Sequence, residues 1–342
     1  MARIHFLNVN KRVDASFDFR FLRDPGPGSD EGQCTIIQHD SGRVTVIDIF
    51  NGARPCRLGT RPYLRLGNGR WPSVNPLDYL NAFGIRSIHR FVLTHPHLDH
   101  MGGIKAIFDS HEPKYFWHLP VDAPAPAFGH LSAYGRADWD FYQALRYGKT
   151  KSKAVLMVIG GSNSQITEEE EVDLLREDGL SFLIPDSEGQ TTIDSRHDLN
   201  SLSPAILFLA GGRKVLFGGD LPGYLWGSLL SKYSDEISNL DILVAPHHGQ
   251  FPDFPREVFA IGSSDMLCVL GNWCRSYLTI KYLQDIDRDY VVSNAVSAWL
   301  FDTALPESRL SGVQYDRKEA RFRYHPQFPS CPMPSGEKAF QL

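Results

Sequence analysis

The sequence predicts a fold that mixes strands and helices, and three observations carry that expectation. Short apolar runs of strand length recur: GRVTVIDI at 42–49, RFVL at 90–93, GRKVLF at 212–217 and LDILVA at 240–245. Longer segments with helical spacing lie among them: PLDYLNAFGI at 76–85, ADWDFYQALRYG at 137–148, EEEEVDLLRED at 168–178 and SYLTIKYLQDI at 276–286. Each of the four apolar runs is also closed by a segment carrying aspartate or histidine, which puts reactive side chains at strand ends.

The most informative stretch is FVLTHPHLDHMGG, residues 91–103. Phe91-Val92-Leu93 reads as a buried strand and Thr94 to Asp99 as the loop that ends it. Pro96 lacks an amide donor and biases His95 toward extended geometry, so residues 95–97 are not helical. His95 and His97, two apart on an extended stretch, can reach one ion, while Asp99 and His100, past the bend, can turn toward another. Imidazole and carboxylate are ligands that zinc and manganese accept. Met101-Gly102-Gly103 then leads into a helix beginning near Ile104.

THPHLDH resembles the HxHxDH signature of the metallo-β-lactamase fold hydrolases. The resemblance implies an α+β fold, a four-layer αββα sandwich with two sheets back to back, and one or two divalent metal ions, zinc or manganese, at the edge where loops of both sheets meet. It assigns Asp48, at the end of GRVTVID, to orienting the metal-binding histidines from behind. It makes Asp220 of GRKVLFGGD the carboxylate that bridges two ions, and His247 of LDILVAPHHGQ the last ligand. Within the superfamily the chain resembles the metallohydrolase domain of ComEC-type competence proteins. That likeness rests on IHFLNV (4–9), GQCTII (32–37), DGLSFLIPD (178–186) followed by NSLS (200–203), and VAPHHG. The chain departs from those relatives in a longer segment around DPGPGSDEG, with Gln33 in place of an aspartate. Where many superfamily members have a third-motif histidine, ComEC-type members tend to have asparagine, and Asn200 fits that position as a residue supporting the ligands, with His197, three residues earlier, as the alternative ligand.

The resemblance therefore groups His95, His97 and Asp220 on one ion, and Asp99, His100, Asp220 and His247 on the other. Asp99, Asp220 and His248 are the expected catalytic residues: Asp99 as a proton shuttle, His248 as a substrate-phosphate contact or, with the register moved by one, the ligand itself. A metal lowers the pKa of bound water from about 15.7 toward 7, which supplies hydroxide at neutral pH. The first expectation for substrate is a phosphodiester in nucleic acid or a nucleotide. A small carbonyl compound such as a lactone, thioester or lactam is the alternative, and a catalytically weakened scaffold binding a nucleotide or protein is the third.

Other chemistries lack their carriers: the sequence has no G-x-S-x-G elbow, no G-x-x-x-x-G-K-[ST] loop and no G-x-G-x-x-G turn. The five cysteines, Cys34, Cys56, Cys268, Cys274 and Cys331, form no C-x-x-C pair, which suits reduced thiols in a cytoplasmic protein. The start MARIHFLNVN has no apolar signal-peptide core, and no run approaches membrane-spanning length. A net charge of −5 argues against a broad nucleic-acid-binding surface. A local patch at RYGKTKSK (146–153), with Lys149 and Lys151, is the candidate phosphate contact. We expect one domain over 1–325, an insertion over the site at about 120–180 with its acidic run as a solvated helix face, and a Pro-rich tail at 326–342. MLCVLGN (266–272) and VSAWLFDT (296–303) read as strands of the second sheet.

Overall fold

The computed structural model describes residues 2–7, 9, 32–50, 52, 74–126, 128, 132–157, 169–185, 198–271, 276–292, 298–304, 310–316 and 321–325. Strands β1 (Arg3–Leu7), β2 (Thr35–Gln38) and β3 (Val44–Ile47) form an antiparallel meander. Helix α1 (Pro76–Ala82), capped by Asn75, leads to β4 (Arg90–Val92), which lies parallel to β3. The short α2 (Leu98–Met101) and α3 (Ile104–His111) carry the chain to β5 (Tyr115–His118). Helix α4 (Ser132–Arg146) precedes β6 (Lys153–Leu156), again parallel. Parallel neighbours need a crossover, and these helices provide it.

Helix α5 (Glu169–Glu177) opens the second sheet. There β7 (Leu180–Leu183), β8 (Ala205–Ala210) and β9 (Arg213–Phe217) are antiparallel. Helices α6 (Gly223–Lys232) and α7 (Ser234–Ile237) then cross to β10 (Ile242–Val244), parallel to β9. Strand β11 (Leu267–Leu270), α8 (Tyr277–Asp285) and β12 (Tyr290–Val292) continue in parallel. The chain returns to the first sheet through β13 (Ala298–Asp302), β14 (Leu310–Asp316) and β15 (Arg321–His325). Among the described residues the sheet orders are β15-β14-β13-β1-β2-β3-β4-β5-β6 and β12-β11-β10-β9-β8-β7.

Alternation along the strands separates the layers. On β8, Ile206 and Phe208 belong to the core shared with the first sheet, whereas Ala205 and Leu207 pack with Leu225, Trp226 and Leu229 of α6. Two sheets face each other with helices outside, the expected αββα arrangement. It places the carboxyl ends of β3 and β4 and those of β9 and β10 at loops that converge, where open parallel sheets carry their ligands.

Two expectations are corrected. VSAWLFDT contributes β13, whose partner is β1 of the first sheet, with Leu7 opposite Ala298. Its local pattern is that of any buried strand, and only the long-range pairing assigns the sheet. Within the 120–180 segment, β6 is the edge of the first sheet among the described residues, and α5 leads into the edge strand of the second. Its acidic run is divided, with Glu169 and Glu170 exposed and Glu171 buried. The tail at 326–342 lies outside the described residues, and none of the described helices is long and apolar enough to cross a membrane.

Candidate metal centre

The first-sheet half is built on Asp48, which directly follows β3 and sits at φ 54°, a left-handed conformation unusual for a residue with a side chain. One carboxylate oxygen accepts the Thr94 amide at 2.8 Å. The other accepts the Thr94 hydroxyl and faces Nδ1 of His100, each also at 2.8 Å. Asp48 thus ties the start of the histidine loop to its end and turns Nε2 of His100 away from itself. Extended geometry at Pro96 brings Nε2 of His95 to 2.8 Å from Nδ1 of His97.

The second-sheet half begins where β9 ends in Gly218-Gly219-Asp220. Gly219 has φ 53°, and a Cβ there would lie 2.2 Å from Oγ of Ser203, so the turn requires glycine. The same hydroxyl accepts the Asp220 amide at 3.1 Å. After β10, His247, His248 and Gly249 are all left-handed, with φ of 46°, 58° and 85°. This costly turn is over-determined by its neighbours. The His247 amide donates to the Gly219 carbonyl, and the hydroxyls of Ser276 and Thr279 donate to the carbonyls of His248 and Gly249.

The two halves meet at Oδ2 of Asp220. It lies 3.2 Å from Nε2 of His100, 3.7 Å from Nε2 of His95, 3.8 Å from Nε2 of His248 and 3.9 Å from Nε2 of His247. His248 also approaches Asp99 at 3.3 Å. Asp99, His100, Asp220 and His248 each offer a ligand atom within 4.8 Å of the others. Burial opposes charge on Asp220, but His100 and His248 beside it hold its carboxyl well below the usual range. Burial likewise disfavours charge on His100, yet Asp220 and Asp48 push it well above the ordinary histidine value. Burial, with His100 and His97 nearby, pulls His95 well below it. A buried group with this much carboxylate calls for a cation.

The residues fit a divalent metal. Nε2 of His100 and Oδ1 of Asp220 are buried without a hydrogen-bond partner among the described residues. Each would cost about 1–3 kcal/mol if left so. The donor set is neutral imidazole and carboxylate, suited to zinc or manganese.

The structure brings Asp48, His95, His97, Asp99, His100, Asp220, His247 and His248 into one site, and it differs from the expected roles at one point. His248 is the buried histidine grouped with Asp99, His100 and Asp220, whereas His247 is 24% exposed and engages Asp253. The left-handed turn decides this, because in an extended segment successive side chains would diverge. Asn200 opens a short 3₁₀ turn, its Oδ1 buried without a hydrogen-bond partner among the described residues. His197 lies outside the described residues. Lys149 and Lys151 are not at the site. They precede β6 and are exposed at the end opposite the metal centre, about 13 Å away by strand length alone. Sequence reasoning missed Asp253, whose Oδ2 lies 2.6 Å from Nδ1 of His247. It also missed the supporting hydroxyls of Thr94, Ser203, Ser276 and Thr279. The only signal for Asp253 was an aspartate in a proline-flanked segment six residues beyond a candidate ligand.

A family model, the Metallo-beta-lactamase superfamily, matches residues 27–224. The chain belongs to this superfamily. It is a hydrolase of that superfamily, whose members bind divalent metals, typically zinc, and the matched span includes Asp48, His95, His97, Asp99, His100 and Asp220. No curated protein sequence matches the chain significantly. Among solved structures it is similar to a diphosphatase from the PhnP family, at 11% identity over 87% of this chain and 89% of that one, with a TM-score of 0.37. It is also similar to a Thermotoga maritima protein assigned to the metallo-β-lactamases, at 16% identity over 72% and 96% respectively, with a TM-score of 0.41. The hydrolase AbOPH of the β-lactamase superfamily aligns at 12% identity over 95% and 94%, with a TM-score of 0.34. At these scores the likenesses carry no functional weight.

Proposed function

We propose that the chain hydrolyses a phosphodiester, in nucleic acid or in a nucleotide, by direct attack of water without a covalent enzyme intermediate. The observation that carries this reading is the single oxygen, Oδ2 of Asp220, within 3.9 Å of four imidazole nitrogens from two loops. A carboxylate shared by two groups of donors suits a pair of divalent ions, zinc or manganese, which when bound would lower the pKa of a water and offset charge on phosphoryl oxygens.

The chain's own residues set that chemistry up. Asp48 fixes the ring of His100 by accepting a hydrogen bond from its Nδ1–H, leaving Nε2 for the site. Asp99, with a side chain 23% exposed, sits between buried His248 and solvent, where it can pass a proton to the departing oxygen. Kinship with ComEC-type hydrolases belongs to the same reading, supported by VAPHHG and the Asn200-to-Ser203 segment. So does a cytoplasmic setting, since Cys34 and Cys268 are buried free thiols.

The test is hydrolysis of bis(p-nitrophenyl) phosphate, single- and double-stranded DNA and RNA, by wild type and Asp99→Ala with Zn²⁺ or Mn²⁺. Cleavage by wild type that is lost in a folded Asp99→Ala supports the reading. Turnover of lactones, thioesters or lactams alone would replace it with carbonyl hydrolysis. Metal binding without turnover of either class would leave a binding scaffold.

A further inference from the structure

The geometry points to His247 as the third imidazole of the His95/His97 ion position, supplied from the second sheet in place of the third-motif histidine, with Asp253 as the residue that positions it. The two consecutive histidines of the HHG turn then serve different ions. His248 completes the group with Asp99 and His100, and His247 completes the group with His95 and His97. This assignment rests on the reading of the site as a two-ion metallohydrolase centre, and it is independent of substrate.

Four observations carry it. The run of left-handed residues at 247–249 lets adjacent side chains both reach Asp220, at 3.9 Å for Nε2 of His247 and 3.8 Å for Nε2 of His248. They approach from different sides. His248 faces the ring of His100, with centroids 5.4 Å apart, and the carboxylate of Asp99. His247 comes from the side of Asp253, and its Nε2 shares Oδ2 of Asp220 with Nε2 of His95, at 3.9 Å and 3.7 Å. His95 and His97 already direct ring nitrogens at each other 2.8 Å apart, a two-nitrogen set that with Asp220 and a bound water leaves room for one further imidazole in a five-coordinate zinc shell. Finally, Asp253 is placed as a tautomer lock. Its Oδ2 accepts a hydrogen bond from Nδ1–H of His247 at 2.6 Å, which favours the tautomer with its lone pair on Nε2, the nitrogen nearer Asp220. Its Oδ1 accepts the Gly223 amide at 3.0 Å, the first residue of α6, which anchors the carboxylate to a rigid element.

Asp253 is a positioning residue, and the pair is tested by metal stoichiometry rather than by turnover. The full chain is stripped of metal, loaded with Zn²⁺ alone, freed of excess and measured by elemental analysis, with chelator competition for affinity and a thermal melt to verify folding. Wild type is expected to hold about two equivalents, and His247→Ala and His248→Ala about one each. Pairing separates the positions. His95→Ala added to His247→Ala removes nothing further, whereas His100→Ala added to His247→Ala removes the remaining ion. Asp253→Asn keeps an oxygen for the Gly223 amide but presents an N–H to His247, and is expected to weaken one ion by about 10–100-fold and leave the other unchanged. A His247→Ala protein that keeps the wild-type content and affinity overturns the assignment. So does loss of the His95/His97 ion in Asn200→Ala with His247→Ala unaffected, or a wild type that never holds a second ion. Absence of phosphodiesterase activity with these stoichiometries intact would refute the substrate reading alone.

Discussion

The two ends of β4 each carry a buried polar cluster, and the two are built on opposite principles. At its start, fully buried Arg90 donates to Glu171 at 2.6 Å and to Asp178 at 2.6 Å. Arg43 adds two bonds to Asp178, and His89 and Trp117 complete Glu171. Two guanidinium groups face two carboxylates, and apart from Nη2 of Arg90 the charged atoms find partners. Five residues further along, Asp48, Asp99 and Asp220 gather around histidines, with ring and carboxylate atoms lacking partners. The first cluster is closed and binds the sheets and α5 together. The second is open, and its missing charge is what a metal supplies. A buried polar group thus signals function by what it lacks, not by being polar.

The largest expected effect breaks the closed cluster. Glu171→Gln leaves Arg90 buried against one carboxylate fewer and should cost about 3–5 kcal/mol in urea unfolding, with activity per folded molecule unchanged. A loss under about 1 kcal/mol would mean that water or rearrangement readily replaces the pair.

The next effect concerns pH. Burial lowers the His39 pKa to about 4, with its ring held between the Asp178 carbonyl and the Thr45 hydroxyl. A folded value below the unfolded one gives stability that is full above about pH 6.5 and is lost as pH falls toward 4, at most about 3 kcal/mol. Asp178 has the same sign at lower pH. Burial opposes its charge, but hydrogen bonds from Arg43, Ser41 and Arg90 hold it below its usual range, so its contribution is lost as pH falls below about 4. Urea titrations of wild type and His39→Gln between pH 7 and 4.5 should therefore diverge, with wild type losing stability faster. Parallel curves would remove His39 from the account.

The open cluster should respond to metal instead. Zn²⁺ at about one hundred times its Kd should stabilise wild type by about 2.7 kcal/mol, and Asp220→Asn much less. Equal shifts in the two proteins would show that the ion binds elsewhere. Least of all, Lys149→Ala and Lys151→Ala, exposed at the closed end, should alter stability by under about 0.5 kcal/mol and leave phosphodiesterase activity unchanged. A large loss of activity would place substrate far from the metal centre.

The local sequence was sufficient for the strands ending at Asp48, His95, Asp220 and His247, because an apolar run closed by a polar loop is a local pattern read over a few residues. It was also sufficient for the site's chemistry, since ligand type is a property of the side chain. Tertiary structure alone assigned β13 to the first sheet, drew Glu171 inward to meet Arg90 and moved Lys149 and Lys151 away from the site. It also distinguished His247 from His248. Those outcomes depend on pairings across tens to hundreds of residues and on a backbone turn whose handedness is fixed by Ser276, Thr279 and Gly219, none adjacent to it in the chain. Residue types set which ion could bind; only packing of the two sheets brings the donors to a common oxygen on Asp220.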